Sequence, residues 1–165
     1  MCMRMETVEM SIEENKDIIR RLCEEINKGN LDAVDEIFAS DYVRHDPSDL
    51  LSDIGREEYK QTFTKLRRAF PDAHWSLEDL LSDGDKVIGR WAFHGIHRGQ
   101  FFNIPPSGKE VKYPIIGIYR IKDGKIAEDW HIFHALGLWQ QLIPEIGKLL
   151  KRARDTANGN VDVHG

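Results

Sequence analysis

The dipeptide Asp123-Gly124 separates two long stretches of extended character, Glu110 to Lys122 and Lys125 to His134. Asp-Gly between alternating apolar residues is the strongest short hairpin signal, because a tight two-residue turn needs positive φ at both central positions. An isolated hairpin is marginally stable, so the chain must supply further strands and a layer to cover them. Two more stretches, Ala73 to Ser82 and Lys86 to His97, read as strands joined by the turn Asp83-Gly84-Asp85. Phe101 to Gly108 contains Pro105-Pro106 and reads as a loop.

The N-terminal third has helical period instead. Ser11 and Glu14 form a capping-box pattern, followed by Ile18, Ile19, Leu22, Cys23 and Ile26 at helical spacing, with Gly29 as the stop. Asn30 is the expected cap of a second short helix that buries Leu31, Val34, Ile37 and Phe38. A brief extended piece from Tyr42 to His45 runs into Asp46-Pro47, a turn former. Gly55 to Phe70 is a third amphipathic helix with Tyr59, Phe63, Leu66 and Phe70 as its stripe. A last helix starts near Ala135, with a break at Pro144. The order predicts one α+β domain over residues 11–150, after a loose leader at 1–10 and before a helix end and frayed tail at 151–165.

Composition narrows the function classes. A net charge of -5 lacks the basic footprint of a nucleic-acid binder, and no apolar run is long enough for a membrane span. The basic run Lys148, Lys151, Arg152 and Arg154 reads as a solvated helix face. The two cysteines, Cys2 and Cys23, have no C-x-x-C partner, which argues against a disulfide framework or a thiol zinc site and makes the reducing cytoplasm the default expectation.

Register carries the argument to individual residues. If Lys122 pairs with Lys125, then Tyr119 faces Glu128, Gly117 faces Trp130, Ile115 faces Ile132 and Tyr113 faces His134. That face combines aromatics, a glycine gap, a carboxylate and an imidazole, the makings of an apolar pocket with a few polar groups. Ile118, Ile116 and Pro114 then share the opposite face with Asp129, His131 and Phe133. His131 and His134 form H-x-x-H, but a spacing of three in a strand puts the rings on opposite faces, so no metal site is expected.

The segments His45-Asp46-Pro47, Gly55-Arg56-Glu57, Ala69-Phe70-Pro71-Asp72, Arg90-Trp91, His97-Arg98-Gly99, Ile104-Pro105-Pro106-Ser107-Gly108 and Asp123-Gly124-Lys125-Ile126 fall in order. With Glu128-Asp129-Trp130 and Leu136 to Leu142, the chain resembles the SnoaL-like polyketide (ester) cyclase family from about Ser11 to Leu142. The resemblance implies the cone-shaped fold of the nuclear-transport-factor-two-like superfamily, a strongly curved antiparallel sheet wrapped around the N-terminal helices. It also implies a homodimer or homotetramer, a hydrophobic small-molecule ligand, and neither metal nor organic cofactor. Studied members close a ring by an intramolecular aldol reaction, with one aspartate four residues after the tryptophan as acid/base. In this chain that position is His134.

The expected catalytic residues are therefore His134 and, bordering the pocket, His45. Trp130, Glu128, Tyr113 and His97 are candidates for the substrate wall, as are Tyr59 and Phe63, which by default are core. Of Arg90 and Trp91, which point to opposite sides of a strand, one meets the cavity. The expected function is cofactor-independent general acid/base chemistry (cyclisation, isomerisation or dehydration) on a carbonyl compound. The alternatives are a non-catalytic binder of a lipid-like or polyketide-like ligand and a dimerising module with a vestigial cavity.

Overall fold

The structure is a computed structural model that describes residues 11–45 and 53–157. The leader, the Asp46-Pro47 turn and the tail beyond Ala157 lie outside the described residues. Helix α1, Ile12–Lys28, starts at the expected capping box: the Glu14 amide donates to Ser11 Oγ at 3.2 Å and the Ser11 amide to Glu14 Oε2 at 2.7 Å. It ends at Gly29 with φ 76°, where a residue with a Cβ is disfavoured. Asn30 does not cap the next turn; its side-chain amide reaches back to Glu25 Oε2 at 2.5 Å. A 3-10 turn, Leu31–Ala33, and one turn of α2, Val34–Ile37, lead straight into β1, Phe38–His45. The strand is thus longer than the expected piece and includes Phe38.

Helix α3 spans Arg56–Ala69, and the Glu58 carboxylate accepts from the Gly55 amide at 3.1 Å. Strands β2, His74–Asp83, β3, Lys86–Ile96, β4, Glu110–Lys122, and β5, Lys125–Phe133, form an antiparallel meander. The sheet order is β1-β5-β4-β3-β2, and β1 joins β5 in parallel, so the sheet is mixed at that edge rather than wholly antiparallel. Helices α4, Ala135–Leu142, and α5, Pro144–Ala157, close the described chain. No described helix is long and apolar enough to cross a membrane.

One side of the sheet holds the core. Along β4, Val111, Tyr113, Ile115, Tyr119 and Ile121 are buried while Lys112, Pro114, Ile116 and Ile118 alternate outward. Ile19, Leu22 and Ile26 of α1 and Tyr59 and Phe63 of α3 complete the cluster from the helix layer. Between strands β3 and β4, the segment after His97 is tied to the end of α3, where the Arg98 and Gly99 amides both donate to the Ala69 carbonyl at 2.9 Å.

The hairpin turn is as expected: Lys122 pairs with Lys125, and Asp123 and Gly124 have φ of 50° and 74°. Two residues later the register changes. Ile121 faces Ile126 but Arg120 faces Glu128, so Ala127 is an extra residue in β5. Beyond this bulge Tyr119 faces Asp129, Gly117 faces His131 and Ile115 faces Phe133. The pairing expected from the turn alone is off by one, and a one-residue slip exchanges the two faces of a strand. Asp129, His131 and Phe133 therefore turn toward the helices, and Glu128, Trp130 and Ile132 turn away.

Candidate active site

The inner face of β5 brings an acid and an imidazole under the helices. Asp129 is fully buried, and Arg44 from β1 grips it with two parallel bonds, Nε to Oδ1 at 2.8 Å and Nη2 to Oδ2 at 2.7 Å. The parallel pairing of β1 with β5 places Arg44 directly beside Asp129. The guanidinium also lies 4.7 Å from the centre of the Tyr59 ring. Burial opposes the charge on Arg44, but the Asp129 carboxylate overrides it and holds the guanidinium above its ordinary range. Burial likewise pushes the hydroxyls of Tyr42, Tyr59 and Tyr119 up, so these remain neutral hydrogen-bond donors.

His131 sits one pair along the same face, opposite Gly117 and half-buried, with Phe133 beyond it. Aromatic rings fill the rest of the concave side. Tyr59 stacks on Phe63 at 4.6 Å, Phe63 meets Trp75 at 5.0 Å, and Tyr113 stacks on Phe93 at 4.7 Å. Of the Arg90/Trp91 pair, Trp91 is the one buried inside, 6.3 Å from the Tyr119 ring, while Arg90 is outside on Glu78. The Tyr42 hydroxyl and the Trp91 indole nitrogen are buried with no hydrogen-bond partner among the described residues. Both have polar neighbours, Asp129 and Tyr119 respectively, that are near enough to act on them but do not meet hydrogen-bond geometry.

His97 is also fully buried, at the other end of the core, between Phe70 and Phe101. Its Nδ1 accepts from the Ser107 amide at 3.3 Å and lies 3.0 Å from Ser107 Oγ, which pins the 101–108 loop. Burial pulls its pKa down, partly offset by the Gly99 backbone. That loop carries Phe102 and Asn103 at positive φ and lays Phe101 against Trp139 of α4.

The remaining sequence candidates fall elsewhere. Glu128 and Trp130 were expected on the pocket face and lie on the outer one, because of the Ala127 bulge. There Glu128 pairs with Arg120, which holds its carboxyl below the usual range. His45 also faces outward, since it pairs with Trp130: its ring stacks on that indole at 5.1 Å, and its Nδ1 lies 2.9 Å from Asp53. His134 follows the end of β5, is exposed and sits at the N-cap position of α4 with no side-chain capping bond, where only a glycine at 137 leaves room for its ring. Sequence reasoning missed Arg44 and put Asp129 and His131 on the opposite face, whereas Tyr119 lies inside as its register expected. The signal available was the adjacent pair Ile126-Ala127, two small or apolar residues where strict alternation allows one. No group of three or more His, Cys, Asp or Glu among the described residues is arranged around a metal.

A family model for SnoaL-like polyketide cyclases matches residues 16–142. The chain belongs to this family. The aklanonic acid methyl ester cyclase DnrD of Streptomyces peucetius is 30% identical over 130 residues, which cover 76% of this chain and 88% of that protein. Among solved structures, IdmH from Streptomyces antibioticus is 28% identical with a TM-score of 0.70, covering 78% of this chain and 97% of its own. A SnoaL-like polyketide cyclase from Agrobacterium tumefaciens, at 20% identity and a TM-score of 0.65 over 81% of this chain and 99% of its own, shares the fold. Helix α5 lies beyond the family match, which ends in α4.

Two consequences can be measured. Replacing Asp129 by Asn strands a buried guanidinium and should lower unfolding free energy by about 3–5 kcal/mol, whereas the double change Arg44→Met with Asp129→Leu should recover most of that loss in urea titrations. His97 is held neutral, so the unfolded chain binds its proton more readily. The stability this group contributes is complete above the unfolded value of about 6.5 and is lost as pH falls below it toward the lower folded value. His97→Asn should flatten that part of the stability–pH curve.

Proposed function

We propose that the chain carries out cofactor-independent general acid/base chemistry on a hydrophobic, carbonyl-bearing small molecule, with His131 as the proton carrier. The observation behind this assignment is that His131 is the imidazole on the inner face of β5, while Asp129 already gives both oxygens to Arg44. A carboxylate with both oxygens so engaged has neither free for a ligand, and imidazole is the side chain whose ordinary titration range lies near neutral pH. Membership of the cyclase family, and relatives named for aklanonic acid methyl ester, support a poly-keto ester as the substrate class.

The chemistry balances without a co-reactant. The imidazole takes a proton from a carbon between two carbonyls, the enolate carbon attacks a ketone of the same molecule, and the imidazolium returns the proton to the new alkoxide. The aromatic walls fold the chain into a reactive shape, which makes the attack intramolecular. His134, at the rim where relatives of this type carry an aspartate, is the rival proton carrier. Incubation with aklanonic acid methyl ester should give a cyclised isomer of equal mass on chromatography. His131→Gln should reduce that turnover by about 100-fold or more, the usual worth of a general base, while His134→Ala retains most of it. Loss in His134→Ala with none in His131→Gln would reverse the assignment. Tight retention of apolar ligands with no conversion across a panel of carbonyl compounds would favour the binding-domain reading, which the missing aspartate at 134 supports.

A homodimer is part of the same proposal. Leu81, Ile88, Ile118, Trp130 and His45 pair in one row across the outer face, and Ile116 and Ile132 pair in the next. Ile132 is 59% exposed and Leu81 61%, although a solvated sheet face is ordinarily polar. Charges of both signs, Arg90 with Glu78 and Arg120 with Glu128, flank the rows, so a two-fold copy can set plus against minus. Five strands and four rows give a face of roughly 650 Å², close to the ~800 Å² per partner of a standard interface. Sedimentation should show a dimer for the native chain and a monomer for Ile118→Glu with Ile132→Glu; a native monomer would refute the assembly.

A further inference from the structure

A trough of two glycines runs across the inner face beside His131. Gly89, Gly117 and His131 are successive partners across β3, β4 and β5. A Cβ at Gly89 would lie 2.5 Å from Trp91 Nε1, and one at Gly117 would lie 2.5 Å from the Tyr119 hydroxyl. Each large side chain therefore leans back along its own strand and lays its polar tip over a glycine. Trp91 comes from the row on one side and Tyr119 from the row on the other. The two tips meet in the row that holds His131.

This arrangement is poorly explained by packing. Alanine at both glycines with Phe in place of Trp91 and Tyr119 would fill the same space with no polar atom. Instead the Trp91 N–H is buried without a partner, and an unpaired buried donor destabilises a fold. The Tyr119 hydroxyl beside it is kept neutral by burial and by the Asp129 carboxylate across the strand pair. An unpartnered buried N–H beside a neutral hydroxyl, both fixed over glycines, is the kind of preorganised site that stabilises developing negative charge on oxygen.

We propose that Trp91 Nε1–H and the Tyr119 hydroxyl form the oxygen-binding subsite of this protein, taking a ligand carbonyl that carries the charge of an enolate when the neighbouring imidazole removes the adjacent proton. The proposal rests on the reading of the inner face as the reaction site. It adds the group recognised there: an enolisable ketone oxygen next to an acidic carbon. Both aromatic residues are catalytic on this account, because they touch the reacting oxygen, and the two glycines are positioning residues that let them reach it.

The test uses benzoylacetone, a 1,3-diketone whose enolate is read by near-ultraviolet absorbance. The native protein should lower the apparent pKa of the bound probe. Trp91→Phe and Tyr119→Phe should each weaken enolate binding about 10-fold, as for a lost hydrogen bond to a charged group, and leave affinity for the neutral diketone within about 2-fold. Gly117→Ala, whose new methyl displaces the Tyr119 hydroxyl, should reproduce the Tyr119→Phe loss. Tyr119→Phe removes one oxygen atom and keeps the ring, so it remains informative if Trp91→Phe fails to fold. His131→Gln should still bind the enolate, because the donor pair is intact in it. The inference is overturned if the native protein does not bind the probe, if bound and free probe titrate alike, or if the Phe variants lose diketone and enolate affinity equally. A normal donor effect in a protein that converts no poly-keto ester would retain the oxygen subsite and refute the cyclase reading instead.

Discussion

The extra residue in β5, Ala127, decides which side chains meet the helices and which meet solvent. Strands have a period of two, so one inserted residue moves every following side chain to the other face. Without the bulge, Glu128, Trp130 and Ile132 would enter the core opposite Tyr119, Gly117 and Ile115, and Asp129, His131 and Phe133 would turn outward. With it, Asp129 arrives beside Arg44, Phe133 packs toward Tyr113, and His131 enters the inner face. The bidentate Arg44–Asp129 pair then ties the edge strand β1 to β5 at the point where β1 joins in parallel. Bulge and ion pair support one another: the first delivers the acid, and the second satisfies it.

Much of the fold was legible in the sequence. Ser11 and Glu14, Gly29, Asp83-Gly84-Asp85 and Asp123-Gly124 each act through local backbone chemistry, and each marks its helix end or turn as expected. The candidate site was less legible, for a physical reason. Which face a strand buries depends on the register accumulated from its turn, and a bulge carries only a faint local signature. Ile126 and Ala127 are both buried in succession, but an adjacent apolar pair is common enough in strands that it does not announce a slip. So Tyr113, Trp91, Tyr59 and Phe63 lie inside, where the walls were sought, whereas Glu128, Trp130 and His45 share the outer face. Nor could the sequence show that β1 lies parallel to the strand nearest the chain end, since that contact spans 85 residues between Arg44 and Asp129.

The inner face of β5 separates a paired charge from an imidazole. Asp129 is buried, paired and fixed, while the imidazole two residues on has a glycine opposite it and neutral aromatic donors nearby. On the proposed reading, such an interior suits a reaction in which charge appears on a ligand oxygen and disappears again, with the resident Asp129 carboxylate already paired to Arg44. The outer face has the complementary character, with branched apolar residues and mixed charges at its margin.

The claim on which these points depend is the pairing of β4 with β5, and nuclear Overhauser contacts between backbone protons measure it directly. The account predicts cross-strand contacts between Gly117 and His131 and between Tyr119 and Asp129, with both Ile126 and Ala127 opposite the Arg120–Ile121 step. Contacts from Gly117 to Trp130 and from Tyr119 to Glu128 would mean an unbroken ladder from the Asp123-Gly124 turn, and would contradict it.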